Sequence, residues 1–201
     1  MIVELPHRLI FLRHGETDWN AEGRLQGQHD IPLNPKGLAQ SEQAGKIVGR
    51  ILGRTSEALG AYDFVCSPLS RARRTMELAR GALKLDPFAY RLDEALIEIT
   101  FGQWEGLTWP EVQQRDPEGA RAREADKWHM QPPGGESYAM CAERLRPWLA
   151  SLTRDTIAVA HGGVARCLMH VLSNVPTERA PVCDIWQGRV LVFEAGTYRW
   201  I

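Results

Sequence analysis

Two stretches decide the architecture: Arg8-Leu9-Ile10-Phe11-Leu12-Arg13-His14-Gly15 and Thr156-Ile157-Ala158-Val159-Ala160-His161-Gly162-Gly163. Each is a short apolar run without polar alternation, bounded by histidine and glycine. Such runs suit strands buried on both faces, as in parallel sheets covered by helices. Arg8–Arg13 and Thr156–Ala160 are therefore predicted strands, and Val164–Leu172 has a helical period directly behind the second. A histidine at the carboxyl end of each strand is the notable feature. In open α/β sheets ligands bind at that edge.

Working outward, the same alternation continues. A polar loop is expected from His14 to Asn34. Asn34-Pro35 then supplies a cap and a first-turn proline for a helix with an apolar face at Leu38, Ile47, Val48 and Ile51. Phe64–Cys66 reads as a second buried strand, with Ser67-Pro68 as cap and first turn of a helix to about Gly81. Tyr90–Leu92 is a third strand candidate, Glu94–Leu107 reads as loop, and Trp109–Gln114 as a short helix. The segment up to Met130 is polar and lacks a clear period. Pro132-Pro133-Gly134-Gly135 breaks the chain, Glu136 or Ser137 starts a helix to about Leu152, and Arg189–Glu194 with Tyr198–Ile201 reads as a hairpin. Without a repeat or linker, residues 1–201 are expected to form one α/β domain.

Composition narrows the function classes. Lys and Arg number 24 against 25 Asp and Glu, a net charge of −1, whereas polyanion binders carry a basic excess. No nucleic-acid or membrane partner is expected, although a small anion site remains open. Hydrophobic residues at 44% and charged residues at 24% argue against disorder. Cys66, Cys141, Cys167 and Cys183 form no CxxC pair and read as reduced thiols rather than zinc ligands. The first apolar run stops at Arg13 without a cleavage site, and no stretch approaches a membrane span. A cytoplasmic protein without metal or cofactor is the expectation.

The strand ends collect a particular chemistry. Arg13 and His14 end the first strand, Arg71 lies just past the second, and His161 with Gly162-Gly163 follows the strand at Thr156–Ala160. Arginine forks grip phosphoryl oxygens and stay charged. A neutral imidazole nitrogen can attack phosphorus if its other nitrogen holds the proton, donated to a backbone carbonyl. A protonated His161 would add a donor to the oxygens, and the helix start at Gly162-Gly163 favours an anion.

Leu12-Arg13-His14-Gly15-Glu16-Thr17, Asn20 and Leu25-Gln26-Gly27 through Pro32-Leu33 resemble the histidine phosphatase (phosphoglycerate mutase-like) superfamily. The resemblance continues in Ser67-Pro68-Leu69-Ser70-Arg71-Ala72 with Thr75, in Leu96-Ile97-Glu98 through Gly102-Gln103-Trp104-Glu105-Gly106, and in Pro133-Gly134-Gly135-Glu136-Ser137 and His161-Gly162-Gly163. It implies a three-layer α/β/α fold with a central, mostly parallel mixed sheet and no metal. It makes His14 the phosphorylated nucleophile, Arg13, Arg71 and His161 its phosphate pocket, and Glu98 the proton donor. Asn20, Gln26, Gly27 and Gly162 become further phosphate or substrate contacts.

Each role has a competitor. Arg73 and Arg74 compete with Arg71, and Glu16, Glu94 and Glu105 with Glu98; Asn20 also suits an ordinary turn. Glu98 is flanked by Ile97, Ile99 and Phe101, so desolvation would favour its protonated form. Mutases of the family carry Glu-Arg-x-Tyr-Gly where this chain has Glu98-Ile99-Thr100-Phe101-Gly102. That replacement, with the compact length, favours a phosphomonoesterase on a small phosphorylated metabolite over a mutase or a non-catalytic binding module. Selectivity is expected around Gln26, Trp104, Trp109 and the stretch to Met130. A monomer and a homodimer are both compatible with the sequence.

Overall fold

The structure is a computed structural model and describes residues 3–53 and 55–201; Met1, Ile2 and Arg54, within the expected 1–201 domain, lie outside the described residues. Strands β1 (Leu9–Arg13), β2 (Asp63–Cys66), β3 (Arg91–Leu92), β4 (Thr156–Ala160), β5 (Leu191–Glu194) and β6 (Thr197–Trp200) form one sheet in the order β3-β2-β4-β1-β5-β6. The β3–β2, β2–β4 and β4–β1 pairs are parallel, and β1–β5 and β5–β6 are antiparallel.

Strand side chains alternate between faces, and both faces are apolar here. Leu9, Phe11, Val65, Ala158 and Ala160 join one core with helices α7 (Tyr138–Ala150) and α8 (Gly162–Ser173). Ile10, Leu12, Cys66, Ile157 and Val159 join a second core with α2 (Pro35–Leu52) and α4 (Ser70–Ala82). The expected three layers and mostly parallel mixed sheet are therefore present. Full burial of each Leu or Ile contributes roughly 1.5–3 kcal/mol, and Leu9, Ile10, Phe11 and Leu12 are all fully buried.

The chain leaves β1 toward α2 on one face and leaves β4 toward α8 on the other. The crevice between those diverging connections is a topological switch point, where α/β sheets bind ligands.

Several expectations need correction. The 14–34 loop contains a helical turn, α1 (Asp18–Ala21), closed by a capping box between Thr17 and Asn20. Leu38 is 37% exposed and does not face the core, unlike Ile47 and Val48. Ser67-Pro68 does not cap α4. Leu69 occupies the cap position without a side-chain bond, and Asp30 instead accepts from the Ser70 N–H and hydroxyl at 2.8 and 2.7 Å.

Residues 94–107, read as loop, hold two 3₁₀ turns, Glu94–Leu96 and Gly102–Trp104. The sequence reading also had no helix at α3 (Ser56–Gly60) or beyond α5 (Trp109–Arg115), where α6 (Pro117–Ala125) follows. Asp116 caps α6 through the Gly119 N–H at 2.9 Å. Its mostly polar face hides the period. No described helix is long and apolar enough to cross a membrane.

Candidate active site

The register of three adjacent strands assembles the site. Arg13 pairs with Ala160 and Cys66 with Val159, so the residues just past β1, β4 and β2 share one edge. The ladder continues one step further: the His14 N–H donates to the Ala160 carbonyl at 2.9 Å, and the Ser67 N–H to Val159 at 3.0 Å. Parallel strands lie about 4.8 Å apart, and the rings of His14 and His161 accordingly sit 5.1 Å centre to centre.

His14 is 2% exposed, and its Nδ1 lies 2.7 Å from the Gly15 carbonyl. A carbonyl only accepts, so Nδ1 carries the proton in the neutral ring and Nε2 keeps its lone pair. Burial, then Arg71 and Arg13, hold the His14 pKa well below its usual value. The ring is a neutral base beside two cations.

His161 is fully buried, with Nε2 2.7 Å from the Ser67 hydroxyl. Burial and then Arg71, His14 and Arg13 push its pKa well down, which favours the neutral ring over the protonated form that would have added a donor. If Ser67 donates to Nε2, the proton resides on Nδ1, which has no partner. The neutral ring can thus still donate to an anion.

Arg71 is 1% exposed, and its two Nη groups donate to the carbonyls of His29 and Gly27 at 2.6 and 2.7 Å. Arg13 is anchored through Nη1 to the Ile185 carbonyl at 2.7 Å. The Nε of each arginine is buried without a partner. Burial and the neighbouring Arg166 lower the Arg13 pKa to about 10, so it remains charged near neutrality. Arg71, Arg13, His14 and His161 thus come together, whereas the competing Arg74 pairs with Glu77 on the outside of α4.

Glu98 accepts the Gly163 N–H at 3.1 and 3.2 Å and the Ile99 N–H at 3.0 Å. It therefore docks on the N-terminal turn of α8, next to His161. The expected apolar enclosure is partial: Ile99 is buried, while Ile97 and Phe101 are half-buried. Arg144 holds this segment by donating to the Ala95 and Ile97 carbonyls at 2.5 and 3.1 Å. Gly163 gives the carboxylate room, since a Cβ there would lie 2.4 Å from Glu98 Oε1.

The rival acids are engaged elsewhere. Glu16 pairs with Lys36 at 2.8 Å, and Glu105 binds Thr100 at 2.7 Å and the Phe101 and Gln28 N–H groups. Glu94 is exposed.

The remaining candidates divide. Asn20 Oδ1 accepts from Thr17 N–H and from Gln187 Nε2, at 3.2 and 3.1 Å, so its turn role is real and its amide is oriented. Gly27 meets Arg71 through its carbonyl. Its φ of 53°, with a Cβ that would fall 1.8 Å from Glu105 Oε1, demands glycine. Gln26 is buried and its Oε1 has no partner. Gly162 opens α8 beside Arg13.

Trp104 is 2% exposed and bonded to Asp116 at 3.0 Å, so it packs and does not line the mouth. Sequence reasoning missed the parts of Ser67, Arg144 and Gln187, and at the Gly162-Gly163 helix start, expected to favour an anion, the Gly163 N–H holds the Glu98 carboxylate. Ser67 stood inside a recognised motif, yet only the strand register reveals its partner. Among the described residues no group of three or more His, Cys, Asp or Glu is arranged to hold a metal ion.

The fold and this edge define an α/β protein with a buried cluster of two histidines and two arginines at the carboxyl ends of its central strands. The profile of the histidine phosphatase superfamily (branch 1) matches residues 9–201, and the chain belongs to that family. A bifunctional protein of Mycobacterium tuberculosis is 38% identical over 158 residues, which cover 79% of this chain and 39% of that protein. The chain thus spans well under half the length of that relative.

A glucosyl-3-phosphoglycerate phosphatase of Mycobacterium tuberculosis is 33% identical over 192 residues, covering 87% of this chain and 78% of the relative. A solved mycobacterial structure with that activity in its name, complexed with VO3, superposes with a TM-score of 0.79 at 31% identity, covering 97% and 96% of the two chains. The alpha-ribazole phosphatase from Shigella flexneri superposes at 0.78 with 26% identity, over 95% and 93%.

Proposed function

We propose that this chain is a phosphomonoesterase that hydrolyses a small phosphorylated metabolite through a phosphohistidine on His14, without a metal or cofactor. One observation carries the reading. A buried neutral His14, with Nδ1 on the Gly15 carbonyl, stands near Arg13, Arg71 and His161; both Nε atoms and, with Ser67 donating to Nε2, the protonated His161 Nδ1 are donors without a partner among the described residues. A phosphoryl group supplies oxygens for those donors while its phosphorus meets Nε2. The named phosphatase relatives support the same class of reaction.

In the first step the Nε2 lone pair forms the N–P bond as the ester P–O bond breaks. The Glu98 carboxyl group gives its proton to the leaving oxygen. Arg13, Arg71 and His161 stabilise charge on the phosphoryl oxygens as the transition state forms. In the second step Glu98, now a carboxylate, takes a proton from water, which attacks phosphorus. The P–N bond breaks, phosphate leaves, and His14 and protonated Glu98 are restored.

The test is release of inorganic phosphate from p-nitrophenyl phosphate in EDTA, with ³²P on His14 trapped by an alkaline quench, in which the N–P bond survives. We expect turnover in EDTA and a label that disappears in His14→Ala. Strict dependence on added divalent metal, or turnover without labelled His14, overturns the reading. Isomer formation without free phosphate when a bisphosphate primer is supplied would establish a mutase instead. Ligand binding without turnover would leave a binding module.

A further inference from the structure

The proposed reaction depends on one carbonyl. The Gly15 oxygen keeps the His14 proton on Nδ1, and with it the lone pair on Nε2. The ladder between β1 and β4 reaches only as far as the His14 N–H. Beyond it, side chains from α2 and α4 hold the two peptide groups that flank Gly15.

The first of these peptides joins His14 to Gly15. Its N–H donates to Thr75 Oγ1 at 3.1 Å, and Thr75 is fully buried. A hydroxyl has one proton, and Thr75 gives its own to the Arg71 carbonyl at 2.8 Å, one turn back on α4. Its lone pairs are thus left for Gly15 and for Ser41. Ser41, on α2, stands 3.1 Å from the same hydroxyl and donates to the Gly37 carbonyl at 2.7 Å.

The second peptide joins Gly15 to Glu16 and carries the carbonyl itself. Its N–H donates to Gln40 Oε1 at 2.8 Å. An N–H only donates, so the Gln40 amide must present its oxygen. The carbonyl and the N–H of one peptide are therefore bonded together, to His14 and to Gln40. Hydrogen bonds in such a chain polarise one another. Drawing on the N–H moves electron density onto the carbonyl oxygen and makes it a stronger acceptor for Nδ1.

Backbone packing closes the remaining side. A Cβ on Gly15 would fall 2.2 Å from the Gly37 carbonyl oxygen, and one on Gly37 would fall 2.1 Å from that of Glu16. The turn after β1 and the first turn of α2 thus lie backbone against backbone.

We infer that Thr75 and Gln40 are positioning residues that lock the two Gly15 peptides and so hold His14 in its Nδ1–H tautomer. The Thr75 hydroxyl also binds the Arg71 carbonyl, so one side chain ties the nucleophile's turn to the helix that carries Arg71. The expected rate effects rest on the phosphohistidine reading, whereas the tautomer is a property of the free protein.

The test is a long-range ¹H–¹⁵N spectrum of the ¹⁵N-labelled full chain near neutral pH, with the His14 ring assigned by its loss in His14→Asn. Wild-type His14 should show the neutral Nδ1–H form. Thr75→Val and Gln40→Leu remove the acceptors at nearly unchanged volume, and each should move a measurable share of the ring to the Nε2–H form. Single-turnover phosphorylation of His14 by p-nitrophenyl phosphate should then slow by roughly 10- to 100-fold. Inhibition by inorganic phosphate should change far less, because Arg13 and Arg71 stay in place. Thr75→Ser and Gln40→Glu keep an acceptor oxygen and should restore the tautomer and most of the rate.

A ring that stays in the Nδ1–H form in both folded variants overturns the inference. So does a rate loss that Thr75→Ser and Gln40→Glu fail to restore. If Thr75→Val does not fold, Gln40→Leu, at a half-buried side chain, decides alone. If no ester phosphorylates His14, the phosphatase reading falls, and the spectra still decide the inference.

Discussion

The His14–His161 pocket and the cavity of about 780 Å³ between α5, α6, α7 and α8 are built on different principles. In the pocket, His14, Ser67 and His161 are placed by strand register, and Arg71 and Arg13 are clamped through backbone carbonyls. Moving one of these residues means shifting a ladder or a helix. In the cavity, the lining side chains come from helix faces and a polar segment, with Arg123 buried in the wall and Lys127 exposed at the rim. The first arrangement suits a reaction that tolerates little displacement. The second suits selectivity, where side chains can change without disturbing the sheet. Rigid scaffold and variable rim divide in this way in many α/β proteins.

The contrast can be broken by experiment, beginning with the largest effect. Glu98→Gln should slow single-turnover phosphorylation of His14 by an alkyl phosphate by roughly 10²–10⁴-fold, and by p-nitrophenyl phosphate much less, since its leaving oxygen needs little help. Equal losses for both esters would remove the proton-donor role. Gly163→Ala sets a Cβ 2.4 Å from Glu98 Oε1. Because small displacements are costly in positioned sites, the alkyl phosphate rate should fall roughly 10- to 100-fold with the nucleophile still labelled. A normal rate would show that the carboxylate is not held by the α8 turn.

Ser67 is a positioning residue. Ser67→Ala removes the hydroxyl at His161 Nε2 and should cost about tenfold in kcat, from loss of one hydrogen bond of about 1–1.5 kcal/mol. Ser67→Thr should restore most of it. A purely structural role would instead appear as lost stability without rescue of the rate.

The last effect is on stability and leaves the rate at neutral pH untouched. His14 and His161 have folded pKa values well below the usual value near 6.5, so the folded state binds fewer protons than the unfolded state below that pH. Their neutral burial is tolerated above about pH 6.5. As pH falls from there toward the folded values, stability drops by up to about 1.4 kcal/mol per pH unit per group. Urea midpoints measured between pH 7 and 5 should fall, and less steeply in His14→Asn. An unchanged slope in that variant would mean the ring is not held neutral by burial.

Legibility in the sequence followed the same division. The apolar runs at β1 and β4 announced a buried sheet because strands covered on both faces need no polar alternation. Asn34-Pro35 announced a helix start through local cap chemistry, and its cap formed; of Glu136 and Ser137, both open as the next start, Ser137 is the cap. Ser67-Pro68 offered an equally good local cap, yet tertiary structure gave α4 to Asp30, more than thirty residues earlier, and gave Ser67 to His161. Helix α6 was illegible because its buried residues, Ala120 and Arg123, include a charge where an apolar period would be sought. Trp104 and Trp109 looked alike in sequence. Burial separated them, one into a satellite core and the other onto the cavity wall.

By itself, the sequence determined that two apolar strands end in histidine and glycine, that arginines stand at matching strand ends, and that the family's landmarks occur in order. Those are local facts, set by which residues the backbone needs at a buried strand and its turn. Only the tertiary structure decided which nitrogen of His14 keeps its lone pair, that His161 is neutral, and that Glu98 rests on the start of α8. It also left Arg123 Nη1 buried without a hydrogen-bond partner among the described residues. Protonation and pairing depend on desolvation and on neighbours many residues away in the chain, and those are properties of the packed molecule.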